Sequence, residues 1–227
     1  MPVEDPPAPG RLIAPSLDDL RTAFALDADV WAAIERIGPC RLRGDDGLEP
    51  YEALLRAIAG QQLHGRAARA IFGRLCALTE DRIPGPAELL AHDEQTLRGC
   101  GLSGAKIVAM RGVAEARLDG RVPSRAEADE LDDETIVRKL VTLRGVGRWT
   151  VEMLLMFTLG RPDVMPVDDF GVREGWRRIK GYDAPVRPKA LGLETAMFSP
   201  WRSALAWYCW RASEEGKKAA DVNPLTG

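Results

Sequence analysis

The chain has 227 residues, a length that fits one large domain or two small ones. A hydrophobic fraction of 45% and a charged fraction of 29% are typical of a folded globular protein and exclude a disordered chain. The formal net charge is −3, no apolar run is long enough for a transmembrane helix, and the first residues lack the features of a signal peptide, so we expect a soluble intracellular protein.

Helical periodicity dominates the chain after a proline-rich opening. Residues 1–15 predict a mobile N-terminal arm, and residues 17–37 and 51–78 each show one long apolar stripe at helical spacing. Further helices are predicted at 86–91, 93–99, 103–118, 132–143, 148–159, 169–179 and 200–216, most of them after a capping residue or a proline. A marginal strand is expected only near 40–44. The predicted fold class is all-α.

Short helices joined by glycine and proline turns argue against a simple four-helix bundle. Residues 51–160 are predicted to form one helical subdomain. Residues 16–50 and 161–227 are predicted to pack together as a second, because each holds too few apolar helices for a core of its own. A cleft between the two subdomains would be the natural ligand site.

Cysteine and histidine are too sparse for the common metal and nucleophile sites. The four cysteines are widely spaced, which argues against a zinc site or an iron–sulfur cluster with closely spaced ligands, and we expect reduced, mostly buried thiols. His64 and His92 are the only histidines, which argues against a histidine triad. No metal site is predicted, and any catalysis rests on carboxylates, lysines or hydroxyls.

Basic residues cluster in spite of the negative net charge. Segments 56–74 and 137–149 contain no acidic residue, and segments 98–125 and 173–189 are strongly basic, whereas the first fifty residues are acidic. Arginine greatly outnumbers lysine, which suits phosphate recognition, although a GC-rich genome would also explain that ratio. The clustering favours a nucleic-acid partner.

Residues 142–150, TLRGVGRWT, lie between two helical patterns. Gly145 and Gly147 flank Val146 in a predicted hairpin that is too tight for a side chain at either glycine. The next helix opens at Arg148, and its first turn exposes N–H groups that suit a phosphate. The alternative is an ordinary helix–helix turn with glycine caps.

The stretch LRGVGRWT resembles the helix-hairpin-helix of the HhH-GPD superfamily of base-excision DNA glycosylases. That family places an aspartate about twenty residues later, where DVMPVDDFGVRE supplies Asp168 and Asp169. Three further blocks resemble the alkylbase branch, the 3-methyladenine DNA glycosylase II type: AIAGQQLHGRAARAIFGRL at 57–75, GLSGAKIVAMRGVAEA at 101–116 and SPWRSALAWYCW at 199–210. The ordered set covers roughly residues 50–212.

The resemblance implies a monofunctional DNA glycosylase of base excision repair, which flips an alkylated base out of the helix and hydrolyses its N-glycosidic bond. It implies a helix-hairpin-helix at 134–159 and makes Asp169 the catalytic residue, with Asp168 as the N-cap of the next helix. The DNA-binding residues it implies are Arg144, Gly145, Val146, Gly147, Arg148 and Thr150.

Relatives that also cut the DNA backbone carry a lysine where this chain has Trp149, so the resemblance implies an enzyme that leaves an abasic site. It places Trp149, Met153, Phe170 and Trp210 around the base, where an aromatic pocket would attract a cationic alkylated purine. The family often has tyrosine in place of Met153 and Phe170, which leaves the ranking of substrates open. These side chains could instead be core residues.

The turn Gly60–Leu63 resembles the family's intercalating wedge, with Gln62 or Leu63 as the inserted side chain; Gln61 and Gln62 could instead be surface amides. The resemblance implies no organic cofactor, with a monovalent cation on the hairpin carbonyls as an option. It implies a monomer that acts on double-stranded DNA with a damaged base. The expected location of the protein is the cytoplasm, on the bacterial nucleoid. About 50 residues precede the first block, which predicts a compact variant without the family's N-terminal sheet domain.

Two other functions remain open at this stage. One is a non-catalytic helix-hairpin-helix module that binds DNA through the same phosphate contacts. The other is a related glycosylase with a different damaged-base specificity, including the bifunctional and mismatch types. Asp169 and the aromatic residues favour the alkylbase enzyme, because a module that only binds DNA needs neither.

Overall fold

The computed structural model of the protein describes residues 11–12, 14–44 and 47–221. The α-helices in these ranges are α1 Leu17–Phe24, α2 Ala28–Ile37, α3 Pro50–Gly60, α4 Gly65–Cys76, α5 Pro86–Ala91, α6 Glu94–Gly99, α7 Gly104–Leu118, α8 Arg125–Asp129, α9 Asp133–Leu140, α10 Arg148–Met153, α11 Phe170–Lys180, α12 Pro188–Glu194 and α13 Arg202–Asp221. Short 3-10 turns lie at Ala77–Thr79 and Ala196–Phe198, and a π-helical turn at Leu154–Thr158 continues α10. The all-α prediction is confirmed.

Two short strands are the only sheet in the described residues. Strand β1, Arg11–Leu12, pairs antiparallel with β2, Arg43–Gly44. The strand predicted near 40–44 is therefore present, and its partner lies within the segment predicted as an N-terminal arm. Residues 1–10 and 13 of that arm lie outside the described residues.

The chain divides into two compact units. The terminal unit consists of the described residues up to Gly44 and those from Gly160 onward, and the central unit consists of those between, up to Leu159. The boundaries predicted from the sequence, after residues 50 and 160, lie up to six residues further along the chain. Each unit has its own buried apolar core.

The core of the terminal unit forms where α11 packs against α13. Phe198 stacks edge-on against Phe24 and Trp176, with ring centroids 5.1 and 6.0 Å apart, and all three side chains are fully buried. Gly175 of α11 lies directly on the backbone of Cys209 in α13, so the two helices are in close contact. This contact fixes the start of α11, where Asp169 lies.

The core of the central unit forms around α3 and α7. Helix α3 packs against α4, α7 and the π-helical turn, and α5 packs against α7. Fully buried side chains from these helices include Leu54, Ile58, Leu89, Met110 and Val113. Helix α4 is the exception, since Leu75 is its only buried residue.

Two long predicted helices are each interrupted. Residues 17–37 break after Phe24, because the Asp27 carboxylate accepts a hydrogen bond from the Val30 N–H at 3.1 Å and starts α2. Residues 51–78 break at the turn that follows Gly60, where Gln62 has φ +59°. An apolar stripe at helical spacing is compatible with such a break, so periodicity alone does not detect it.

Two helices, α8 and α12, are absent from the sequence prediction. Both carry a local start signal: the Ser124 hydroxyl and the Glu127 carboxylate form a capping box at α8, and Pro188 is the first residue of α12. Their short length leaves no clear apolar periodicity. None of the helices in the described ranges is both long and apolar enough to span a membrane.

Candidate active site and nucleic-acid interface

The glycine hairpin joins α9 to α10 in the central unit. The Val146 N–H donates to the Leu143 carbonyl at 3.1 Å, and the Val146 side chain is buried. Gly145 has φ +82°, and a Cβ there would lie 2.8 Å from the Ala109 Cβ on α7. Because the Val146 side chain is buried, only its backbone could contact DNA, and its role in DNA binding stays a prediction.

Gly145→Ala should lower the free energy of unfolding by about 1–3 kcal/mol, since an L-residue at that φ is strained and the new methyl group would press on Ala109. Urea denaturation of the two proteins measures the change. An unfolding midpoint equal to that of the wild type would show that the hairpin relaxes freely around Ala109.

Gly147 corrects the prediction that neither glycine can carry a side chain. It is the N-cap of α10 with φ −90°, an ordinary conformation for any residue, and a Cβ there would meet no atom within 4 Å. Its exposed position at the start of a helix leaves the first-turn N–H groups open to an anion.

The side chains at and before the start of α10 differ in whether they could contact a DNA phosphate. Arg148 pairs with Glu134 and also donates from Nε to Glu152 Oε1 at 3.0 Å. The hydrogen bond from Arg148 holds the pKa of the Glu134 carboxyl below its usual range. Thr150 is buried, so only its backbone could reach a phosphate, whereas Arg144 is exposed.

A monovalent cation on the hairpin would be coordinated by backbone carbonyl oxygens. The Leu143 carbonyl accepts from Val146 and the Gly145 carbonyl accepts from Gln61 Nε2, but each carbonyl oxygen has a second lone pair. Both oxygens therefore retain a lone pair of the kind that coordinates a monovalent cation. Within the described residues, no cluster of three or more histidine, cysteine, aspartate or glutamate side chains could hold a metal ion.

The turn that follows α3 presents the predicted wedge residues. Gln62 is exposed in a left-handed conformation, and the Leu63 side chain is 40% exposed although it is apolar. Gln61 is not a free surface amide, because its Nε2 donates to the Gly145 carbonyl at 2.9 Å. Lys106 on α7 donates to the Ala59 and Gln61 carbonyls, and burial lowers the pKa of its ammonium.

Asp169 is the N-cap of α11 in the terminal unit. Its Oδ1 accepts a hydrogen bond from the Val172 N–H at 2.8 Å and another from Trp210 Nε1 at 3.0 Å. The prediction that Asp168 caps this helix is wrong by one residue, because the helix begins at Phe170 and the capping carboxylate is that of Asp169. Asp168 is exposed in the preceding turn.

Because Gly171 has no side chain, there is space for the hydrogen bond between the Trp210 indole and the Asp169 carboxylate. A Cβ at this position would lie 3.0 Å from Trp210 Cδ1 and 3.1 Å from Asp169 Oδ1. Trp210 is half-buried on α13, and the hydrogen bond from its indole N–H favours one orientation of the carboxylate.

The other predicted pocket residues lie in both units. Phe170, next to Asp169, is 67% exposed, and Trp149 at the start of α10 is 47% exposed. Met153 is half-buried and lines a cavity of about 180 Å³ in the central unit, together with Ala57 and Phe157. Two large aromatic side chains that stay this exposed are poor candidates for core residues.

Sequence reasoning missed the residues that support the hairpin and the turn. Lys106, Ala109 and Glu134 contact these loops from other helices, and no spacing rule relates them to the motif. For Gln61, the sequence left its role as a surface amide open.

A comparison with protein-family models identifies the family of this chain. The model of the HhH-GPD superfamily of base excision DNA repair proteins matches residues 55–199, which is more than half of the chain. The chain belongs to this superfamily. The resemblance stated from the four sequence blocks is therefore confirmed, and the hairpin, the turn and Asp169 all lie within the matched range.

The relatives of this HhH-GPD protein include DNA-3-methyladenine glycosylases. It is 40% identical over 179 residues to DNA-3-methyladenine glycosylase 1 of Schizosaccharomyces pombe, an alignment that spans 78% of each chain. The solved structure of S. pombe 3-methyladenine DNA glycosylase (Mag1) in complex with abasic DNA superposes with a TM-score of 0.75 at 38% identity, covering 83% of this chain and 93% of that one. A DNA-3-methyladenine glycosidase from Bacillus halodurans superposes with a TM-score of 0.80 at 30% identity, covering 90% and 93%.

Proposed function

We propose that this protein is a monofunctional alkylbase DNA glycosylase of base excision repair, which hydrolyses the N-glycosidic bond of bases such as 3-methyladenine and 7-methylguanine. Membership of the HhH-GPD superfamily and the names of its relatives support the class of reaction. The observation that carries the proposal is the Asp169 carboxylate, held at the start of α11 by the Val172 N–H and the Trp210 indole.

Asp169 would act on the sugar of the damaged nucleotide. As the bond from C1′ to the base breaks, the base leaves with the electron pair and positive charge develops on the sugar, where an ionised carboxylate stabilises it. Water then forms the new bond to C1′, and Asp169 orients it and takes its proton. The two hydrogen bonds on Oδ1 keep the carboxylate in place while this happens.

The aromatic residues suit a cationic base. Phe170 and Trp210 in the terminal unit and Trp149 in the central unit each have a ring face of the kind that attracts a positively charged purine, by about 0.5–2 kcal/mol. Alkylated purines carry that charge and already have a weakened glycosidic bond, so the proposed reaction needs no strong general acid. Trp149 has no amine and cannot form a Schiff base with the sugar, which supports a product with an intact strand.

Double-stranded DNA is the proposed partner, bound by a monomer through the hairpin. The exposed backbone at Gly145 and Gly147 and the side chain of Arg144 would contact phosphates, while Gln62 or Leu63 fills the space of the extruded base. We propose that the reaction uses no organic cofactor. In a bacterium the substrate would be the DNA of the cytoplasmic nucleoid.

Gly147→Ala tests the phosphate contact without damaging the fold. The added methyl group meets no protein atom, so we expect a loss of stability of no more than about 1 kcal/mol. It would stand in front of the N–H groups of α10, and affinity for duplex DNA should fall about tenfold. Fluorescence anisotropy with a labelled duplex measures this, and unchanged affinity would exclude close approach of the DNA at Gly147.

Base release from methylated DNA tests the proposed activity. Duplex DNA treated with a methylating agent is incubated with the wild-type protein, and the free bases are separated by chromatography. We expect 3-methyladenine and 7-methylguanine among the products and no release from untreated DNA. Release of a different class of damaged base would assign the protein to another glycosylase specificity.

A further inference from the structure

The turn that carries Gln62 and Leu63 is fastened to α7. Lys106 Nζ donates to the Ala59 carbonyl at 2.8 Å and to the Gln61 carbonyl at 2.9 Å. These carbonyls lie at the C-terminal end of α3, where the helix supplies no further N–H donors and its dipole favours a cation. An ammonium group therefore stabilises the backbone just before Gln62.

The same turn is fastened to the hairpin. Gln61 Nε2 donates to the Gly145 carbonyl at 2.9 Å, and Gly145 packs against Ala109. Ala109 lies three residues after Lys106, so one face of α7 supports both loops. The turn, the hairpin and α7 are thus joined by three contacts, all within the central unit.

We propose that Lys106 and Gln61 are positioning residues that join the turn and the hairpin into one element. Phosphate binding by the hairpin and insertion of Gln62 or Leu63 then occur together when the damaged base is extruded. This inference rests on the proposed function. Neither side chain is proposed to contact the reacting atoms.

The backbone at Gln62 shows why such support is needed. Its φ of +59° is rare for a residue other than glycine and persists only where neighbouring groups hold it. Here the flanking carbonyls of Ala59 and Gln61 are bound by Lys106, and the Gln61 amide is bound by the hairpin. Without these bonds the turn can relax and withdraw its exposed side chains.

Extrusion of a base is the step that depends on this connection. Breaking the stacking and pairing of a base costs a few kcal/mol, and the cost is smallest for a base that is already unpaired. A loosened turn should therefore slow the reaction on a paired lesion much more than on an unpaired one. General damage to the fold or to Asp169 would slow both reactions equally.

The test compares Gln61→Met and Lys106→Met with the wild type in single-turnover base release. One duplex carries 7-methylguanine opposite cytosine, and the other carries it opposite a tetrahydrofuran abasic analogue. We expect each variant to be about tenfold slower on the first duplex, the effect of losing one or two hydrogen bonds, and close to the wild type on the second. Gln95→Met is the matched control, because Gln95 is exposed on α6, and it should match the wild type on both.

The double variant gives a second readout. If the two residues hold one element, Gln61→Met combined with Lys106→Met should lose no more than the slower single variant does. Equal losses on the two duplexes, or no loss on either, would overturn the inference while leaving the proposed function intact. No base release by the wild type from either duplex would overturn the proposed function and this inference with it.

Discussion

Asp169→Asn should release alkylated bases about 10²–10³-fold more slowly than the wild type, because the substitution removes the charge that would stabilise the developing positive sugar. The fold should survive, since asparagine is as good an N-cap as aspartate and its Oδ1 can accept from Val172 and Trp210 in the same way. Loss of the charge at the start of α11 should cost about 0.3–1 kcal/mol of stability. Rate constants under single-turnover conditions and a urea unfolding curve measure the two effects.

Asp168→Asn is the matched control. It removes the same charge one residue earlier, from an exposed side chain that caps no helix. Equal losses of rate in the two variants would reduce Asp169 to a capping residue. Asp169→Ala is a poorer test, because it also removes the acceptor for Val172 and Trp210 and should lose about 1 kcal/mol of capping energy.

Gly175→Ala should destabilise the terminal unit by about 3 kcal/mol or more. A Cβ at this position would overlap the carbonyl oxygen and carbon of Cys209, and these are backbone atoms that cannot turn aside. Helices α11 and α13 would have to separate, and the loss of stability should lie at the upper end of the range for overpacked cores. Because Trp210 follows Cys209, separation would also break the hydrogen bond from its indole to Asp169.

Gly192→Ala provides the comparison for this variant. Gly192 lies in α12 of the same unit, and a Cβ there would lie 3.7 Å from Val167 Cγ1, an ordinary contact. Its stability should change by less than about 1 kcal/mol and can rise, since alanine favours a helix. A Gly175→Ala protein that unfolds at the urea concentration of the wild type would contradict the close packing of α11 on α13.

The local signals in the sequence predict most of the helices. Ser103, Asp93 and Asp132 each cap the helix that was expected to follow them. The acidic pair that follows the hairpin predicts the start of α11 to within one residue. The error between Asp168 and Asp169 arises because both residues are good caps and only the backbone decides which one is at the helix start.

Contacts between distant segments were out of reach of sequence reasoning. The pattern GVG treats its glycines alike, but Gly145 is confined by Ala109, whereas Gly147 faces open space. Lys106 lies 47 and 45 residues along the chain from the two carbonyls it binds, and its sequence neighbours do not predict these contacts. Tertiary packing, and not local preference, determines these roles.

The most direct test of the central claim uses a duplex with a single 7-methylguanine and a label at one end. Wild-type protein and Asp169→Asn are each incubated with it, and the strand is examined before and after mild alkali. We predict that the wild type leaves an intact strand that alkali cleaves at the lesion, and that the variant binds the duplex but leaves it resistant to alkali. Binding by both proteins with no alkali-labile site from either would contradict the account and identify a module that binds DNA without catalysis.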